Sequence, residues 1–232
     1  MLKYARYLIL LVLVGTSSVL GTLLCLLRPF HPNNATLYGK WVGKIGCFIL
    51  GVKVITENKH FWYLHTPCLT ISNHQDNLDI FICGSILHQR TVSLGKKQLL
   101  FFPLFGLFYW LSGNIVIDRS SKEKAWQSMA KVKKAIQEKD TTIWMMPEGT
   151  RSKGKGLLPF KKGAFVTAIA AQTKILPIVI SEYVKTINLN KWHSGTVHIK
   201  FLNPIETTGL TEQDAGALTQ KAHDLFKSEL KS

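Results

Sequence analysis

The chain has 232 residues, with 29 lysines and arginines against 14 aspartates and glutamates, a formal net charge of +15 and 46% hydrophobic residues. That length supports one sizeable core with at most an appendage. The charge suits an anionic partner: a membrane surface, a phosphorylated substrate, an acidic carrier or nucleic acid. Cys25, Cys47, Cys68 and Cys83 lie in apolar runs without metal-type spacing, which predicts buried free thiols in a reducing compartment.

The N-terminus opens with Lys3 and Arg6, then Tyr7–Leu27 contains no charge, and Arg28, Pro29 and Pro32 end the run. This is long enough to cross or deeply enter a bilayer. A cleaved signal peptide shares the basic start and apolar centre, but no small-x-small site follows, and Leu24 stands before Cys25 where a lipoprotein signal wants a small residue. Gly15, Thr16, Ser17, Ser18 and Gly21 interrupt the run, and basic residues flank both ends. The positive-inside rule then gives no clean asymmetry, and a helix or re-entrant hairpin that enters the bilayer is expected, bent where those residues permit it, the alternative being a true single span. The next segment, Leu37–Thr56, places Trp41, Ile45, Phe48 and Ile49 at helical spacing among Lys40, Lys44 and several glycines. It reads as an interfacial amphipathic helix with Trp41 at headgroup depth, the alternative being a core helix of the following domain.

From Val52 onward short β-rich apolar runs alternate with helical ones. Strands are predicted at Lys53–Thr56, Leu69–Ser72, Thr91–Leu94, Asn114–Ile117, Thr142–Met146, Ile175–Ile180 and Val197–Phe201. Helices are predicted at Leu78–Leu87, Ser121–Glu138, Gly163–Ala171 and Glu212–Leu230. The alternation predicts an α/β fold: a mixed, largely parallel sheet with flanking crossover helices, preceded by a membrane-associated helical segment. The organisation expected is 1–56 for the membrane-associated helices and 57–232 for the α/β domain.

One turn concentrates the chemistry. The strand Cys68-Leu69-Thr70-Ile71 runs into Ser72-Asn73-His74-Gln75-Asp76-Asn77, and a helix leaves through Leu78-Asp79. On a regular helix His74 and Asp79 would stand roughly 140° apart. With His74 in the turn and Asp79 in the first helical turn, the carboxylate can reach back to the imidazole. It would fix the ring tautomer and leave the other nitrogen to take a proton from a hydroxyl or thiol. A histidine beside a helix start also serves commonly as a cap.

A second strand end, Trp144-Met145-Met146, enters Pro147-Glu148-Gly149-Thr150-Arg151-Ser152, with Lys153, Lys155, Lys161 and Lys162 close behind. Arg151 beside a glycine could fork onto a phosphate, and a solvated basic loop is the plain alternative. Gly149 to Gly154-Lys155 nearly spells a phosphate-binding loop, but Gly156 stands where Ser or Thr should meet magnesium, so nucleotide hydrolysis is rejected. Other strand ends present Lys96-Lys97, Asp118-Arg119 and Leu176-Pro177-Ile178. Ligand sites of open α/β sheets gather at the carboxyl ends of strands, so a base beside an anion pocket is the natural composite.

In this order and spacing the stretches resemble the sequence blocks of the glycerolipid acyltransferase family. The likeness is strongest to its bacterial members acting on 1-acylglycerol-3-phosphate. Asn73-His74 with Asp79 matches the first block, Gly113 to Arg119 the second, Pro147 to Ser152 the third, and Leu176-Pro177-Ile178 the short fourth. The likeness extends over nearly the whole chain, including Gly95-Lys96-Lys97 and the apolar N-terminus. One departure is Asp76, where many relatives carry Ser or another small neutral residue. The resemblance implies direct acyl transfer from acyl carrier protein or coenzyme A thioester to a glycerol hydroxyl, with no metal or other bound cofactor. It makes His74 the base and Asp79 its orienter. Arg119, Arg151 and Lys96 or Lys97 would hold the phosphate, Glu148, Gly149 and Thr150 would position the acceptor, and Asn73 and Pro177 would support the motifs. It also implies a bacterial inner (cytoplasmic) membrane protein with its catalytic domain facing the cytoplasm. Glycerol-3-phosphate or another lysophospholipid stays open as the acceptor. A nucleic-acid binder would be basic too, but no binding motif is present. A serine hydrolase would have to use Ser72 or Ser152, and the chain has no G-x-S-x-G elbow.

Overall fold

The computed structural model describes residues 1–117 and 122–231. Its strands are β1 (Val52–Glu57), β2 (Leu69–Ser72), β3 (Thr91–Lys96), β4 (Ile115–Ile117), β5 (Thr142–Met145), β6 (Ile175–Ile180) and β7 (Gly195–Phe201). They form one seven-stranded sheet in the order β1-β7-β6-β2-β5-β3-β4. Every pairing is parallel except β6 with β7. The expected mixed, largely parallel α/β sheet is therefore the fold. Central strands β2, β5 and β6 are buried along their whole length, which is why they read as unbroken apolar runs. Because β2 pairs in parallel with both β5 and β6, and β5 with β3, their carboxyl ends share one edge of the sheet.

Helices cover both faces. Along the strands side chains alternate: Leu69, Ile71, Ile143 and Met145 face one core, while Cys68, Trp144, Leu176 and Ile178 face the other. The first core is closed by α6 (Lys122–Lys139), α7 (Gly163–Ala171) and α8 (Ala215–Glu229). Ser121, the expected first residue of α6, lies outside the described residues, and the turn before α8 is 3₁₀ over Glu212–Asp214. The second core is closed by α2 (Pro32–Leu50), α3 (His60–His65) and α4 (Asp79–Ile86). In α3, Trp62 is fully buried and packs edge-on to Trp144 at 5.4 Å. All four cysteines are buried free thiols. Burial pushes the Cys47 and Cys68 thiols up to about 11 and Cys83 well above its usual range.

The N-terminal segment is a helix and lacks the expected bend. Helix α1 (Leu2–Leu27) runs unbroken for 26 residues. The small and polar residues in its middle do not bend it. Thr16, Ser18 and Thr22 each donate to the carbonyl four residues back, Ser17 and Ser18 meet the Tyr38 hydroxyl of α2, and Gly21 lies against the Phe108 ring. Ser17, Ser18 and Gly21 are buried and form the contact stripe against Tyr38, where small residues let helices approach. The chain reverses only after Leu27, so the hairpin consists of α1 and α2.

Helix α2 turns its largest apolar side chains away from the sheet, as an interfacial helix would, and its small ones toward it. Trp41 and Phe48 point outward, at 56% and 85% exposure, while Val42, Gly43, Gly46, Cys47 and Leu50 are buried against α4. The glycines decide this, because they permit backbone contact that a Trp or Phe face could not. A Cβ built on Gly43 would stand 2.3 Å from the Ser85 nitrogen and 2.5 Å from the Gly84 carbonyl carbon. The helical N-terminus ends at Leu50, and β1, which falls inside the expected 1–56 segment, is an edge strand of the sheet paired with β7.

The α2–α4 seam matters because Asp79 begins α4. Gly43→Ala should force the two helices apart and cost ~1–3 kcal/mol, as overpacking does. A lowered thermal midpoint in detergent checks this, and an unchanged midpoint would mean the seam is looser than described.

Candidate active site

The turn after β2 is held by its own polar side chains. Asn73 stands where β2 leaves the ladder with β6, and its amide continues that ladder: Nδ2 donates to the Ile180 carbonyl and Oδ1 accepts the Ile180 N–H, both at 2.8 Å. Gln75 Nε2 donates to the Ser181 carbonyl at 2.8 Å, and its Oε1 accepts the Tyr183 N–H at 3.0 Å. Beneath the turn Trp144 Nε1 donates to Ser72 Oγ at 2.8 Å. These bonds clamp the turn between β5 and β6, so His74 is set by the sheet rather than by a free loop.

The expected pair forms. His74 Nδ1 lies 2.7 Å from Asp79 Oδ2, with side-chain exposures of 21% and 3%. The same Oδ2 accepts the N–H of Gln75 at 2.7 Å and of Asp76 at 3.1 Å. The carboxylate therefore holds Nδ1 as the protonated ring nitrogen, and Nε2 is left with the lone pair. Asp76, the departure from relatives, caps the helix entrance: its Oδ1 accepts the Leu78 N–H at 3.3 Å.

Sequence reasoning missed Tyr183, in the loop after β6. Its hydroxyl donates to Asp79 Oδ1 at 2.8 Å, so each carboxylate oxygen has a donor. Burial first, then the Asp79 charge, pushes the phenol far above its ordinary range and keeps it a donor. No pattern in the chain marks this tyrosine, since the contact spans more than a hundred residues.

The third block folds against the same turn. Gly149 takes a left-handed φ of 69°, and its N–H closes a turn onto the Met146 carbonyl at 3.0 Å. Ser152 N–H donates to the His74 carbonyl and Lys153 N–H to the Gln75 carbonyl, each at 2.9 Å. Arg151 and Thr150 are exposed, one and two residues from that contact. Glu148 lines the cavity beside Asn73, Gln75 and Ser152 and braces the turn. It is 2% exposed, Oε1 accepts the His74 N–H at 2.6 Å, and Oε2 accepts the Leu158 N–H at 3.0 Å. Burial raises its pKa, and the two N–H groups oppose that rise. Lys96 and Lys97 are exposed at the carboxyl end of β3, with β5 between them and β2. Pro177 lies inside buried β6 opposite Ile71 and supports the sheet. Arg119 and Asp118 lie outside the described residues, immediately after β4. For the hydrolase alternative, Ser72 is fully buried and engaged by Trp144, and Ser152 is 4% exposed. Neither hydroxyl is bonded to His74. Among the described residues no group of His, Cys, Asp and Glu could hold a metal ion.

A His–Asp pair at the carboxyl edge of a mixed α/β sheet, beside a basic turn, is an arrangement for proton abstraction next to an anion. The Acyltransferase family model matches residues 53–181, and the chain belongs to that family. It is similar along nearly its whole length to enzymes that carry one name, 1-acyl-sn-glycerol-3-phosphate acyltransferase. The protein of Haemophilus influenzae is 37% identical over 99% of this chain and 95% of its own, and that of Escherichia coli 36% identical over 91% and 86%. The crystal structure of the 1-acyl-sn-glycerophosphate acyltransferase PlsC from Thermotoga maritima shares the fold, with a TM-score of 0.78 and 20% identity over 99% of this chain and 93% of that one.

Replacing Tyr183 by Phe leaves one oxygen of a buried carboxylate without its donor. Loss of a hydrogen bond to a charged group should cost ~1.5–3 kcal/mol. Denaturant unfolding in detergent measures this, and a change within error would show that Asp79 does not depend on the phenol.

Proposed function

We propose that the chain transfers a fatty acyl group from a thioester to the free hydroxyl of 1-acylglycerol-3-phosphate, giving phosphatidic acid. The observation that carries the mechanism is the 2.7 Å contact of His74 Nδ1 with a carboxylate whose two oxygens are both bonded. His74 Nε2 takes the proton as the glycerol oxygen attacks the thioester carbonyl carbon. Asp79 stabilises the imidazolium that forms. The tetrahedral centre collapses, the carbon–sulfur bond breaks, and the thiolate leaves with the proton from His74. A thioester is already an activated acyl donor, so no acyl-enzyme is needed. Arg151, Lys96, Lys97 and Arg119 supply charge for the acceptor's phosphate. Glu148 and Gly149 act through the backbone by holding the Pro147–Ser152 turn against His74. Acyl carrier protein or coenzyme A carries the acyl group as co-substrate, and no bound cofactor takes part. The acceptor is supported by the shared name of relatives that align over nearly their full length.

Protein in detergent with radiolabelled acyl thioester and a panel of glycerol acceptors tests both parts. Acylation of 1-acylglycerol-3-phosphate should exceed that of glycerol-3-phosphate and other lysophospholipids. His74→Ala should lower turnover ~10²–10⁴-fold in a folded protein. Near-normal turnover in that variant would end the base assignment.

The same reading places the protein on the bacterial inner membrane with its catalytic domain in the cytoplasm, and α1 lying in one leaflet rather than crossing. Among the described residues α1 is the one helix long and apolar enough to span. What supports a non-crossing position is that both of its ends are tied to the same domain. Near the start, Arg6 is 4% exposed and donates to the carbonyls of Leu189, Lys191 and Trp192 and to Ser194 Oγ. Near the end, Gly21 and Cys25 pack with Phe108. A crossing helix would carry those contacts to opposite sides of the bilayer and drag a polar-edged sheet through hydrocarbon. A cysteine introduced at exposed Tyr4 should escape an impermeant maleimide in intact cells and react after permeabilisation. Ready labelling in intact cells would mean a crossing.

A further inference from the structure

Apart from α1, the densest run of exposed apolar side chains lies in the connection between β3 and β4. Within ten residues Phe101 is 77% exposed, Phe102 60%, Leu104 57%, Leu107 55% and Trp110 49%. Exposed apolar side chains clustered in this way mark an interaction surface. It is also built rather than loose. A 3₁₀ turn over Lys97–Phe101 meets α5 (Phe105–Leu111) at Gly106, where a Cβ would stand 2.1 Å from the Leu100 carbonyl oxygen. Gly106 N–H donates to the Phe102 carbonyl at 2.8 Å, and Tyr109 ties the helix back to β3 through Ser93 Oγ at 2.8 Å. Leu104, at the apex, takes a left-handed φ of 64°. On α5 the buried face, Phe108 and Leu111, packs against Cys25 of α1. The outward face carries Leu107 and Trp110, three residues apart and so on one side of the helix, with exposed Leu104 just before its first turn.

Two observations identify what this surface fits. It is continuous with the open side of α1: Trp110 meets Phe30 edge-on at 5.0 Å, and Phe30 lies just past the helix end, after exposed Leu26 and Leu27 and the Arg28-Pro29 pair. It is rooted between cations, exposed Lys96 and Lys97 on one side and Arg28 on the other. Apolar and aromatic side chains with a basic rim suit an anionic bilayer surface. A second copy of a chain with net charge +15 would bring like charge against like.

We propose that residues 101–110 form a second lipid-inserting element, which enters the headgroup layer beside α1. This rests on the membrane reading above. The element springs from the carboxyl end of β3, so its insertion would bring Lys96 and Lys97 to phosphate depth. It would also tilt the active-site edge of the sheet toward a lysophospholipid that stays in the leaflet. The N-terminal helix alone leaves the rotation of the domain about α1 undetermined, and a second contact fixes it.

The test is an environment-sensitive fluorophore on a single introduced cysteine, at Leu104, at Leu24 on the open face of α1, or at Gln220 on α8 across the sheet. Detergent-purified full-length protein is diluted into vesicles of phosphatidylglycerol and phosphatidylethanolamine. The expected result is a blue shift at 104 and 24 and none at 220. In addition, Phe101→Ser with Phe102→Ser should weaken vesicle binding roughly tenfold or more, with the thermal midpoint unchanged because both rings are exposed. A shift at 24 without one at 104 overturns this inference and leaves the membrane reading standing. No shift at either position overturns both. A shift at 104 that appears without vesicles and grows with protein concentration assigns the patch to self-association and overturns the inference as well.

Discussion

A buried carboxylate organises this molecule. Asp79 is almost sealed from water, where an unpaired charge would cost several kcal/mol. The fold answers with four donors: the His74 ring, two backbone N–H groups of the same turn, and the Tyr183 phenol from the far side of β6. Satisfying that charge forces the turn after β2 to close on the start of α4 and the loop after β6 to fold over both. The imidazole is oriented as a consequence of the requirement that keeps the carboxylate solvated by protein.

The rest of the site leans on this arrangement. Glu148 holds the His74 backbone from the β5 side, and Asn73 and Gln75 hold the turn from the β6 side. Helix α4 is in turn pressed by α2 through glycine contacts that leave no room for a side chain. Because α2 also carries α1, the chain links the long apolar helix to the His74–Asp79 pair through two packed interfaces. Under the proposed function, in which the acceptor stays in a lipid layer, such a link lets the depth of the helix set the height of the base.

Legibility in the sequence followed the range of the interactions. The seven strands were readable because buried parallel strands are continuous apolar runs, and the His74–Asp79 pair because its members are local. The resemblance over the blocks at 73–79 and 147–152 named the family that the matched model and the relatives then gave. Glycines and serines misled. In α1 the polar interruption suggested a bend, but those hydroxyls bond within the helix and to Tyr38. In α2 the large apolar residues marked the outward face as expected, but the spacing did not show that glycines would form the inward one. Glu148 shows what spacing leaves out, since both of its carboxylate oxygens are spent on backbone N–H groups, one of them 74 residues away.

The sequence alone determined the α/β class, the uncharged N-terminal helix, the local pairing of His74 with Asp79, and the basic character of the strand ends. Each of these is written in residue type and spacing within a short window. The tertiary structure decided the closure of Asp79 by Tyr183, the docking of Arg6 on carbonyls at 189–192, the inward face of α2 and the joining of the 101–110 surface to α1. All four depend on groups brought together across dozens to nearly two hundred residues, where spacing along the chain carries no information about direction or distance.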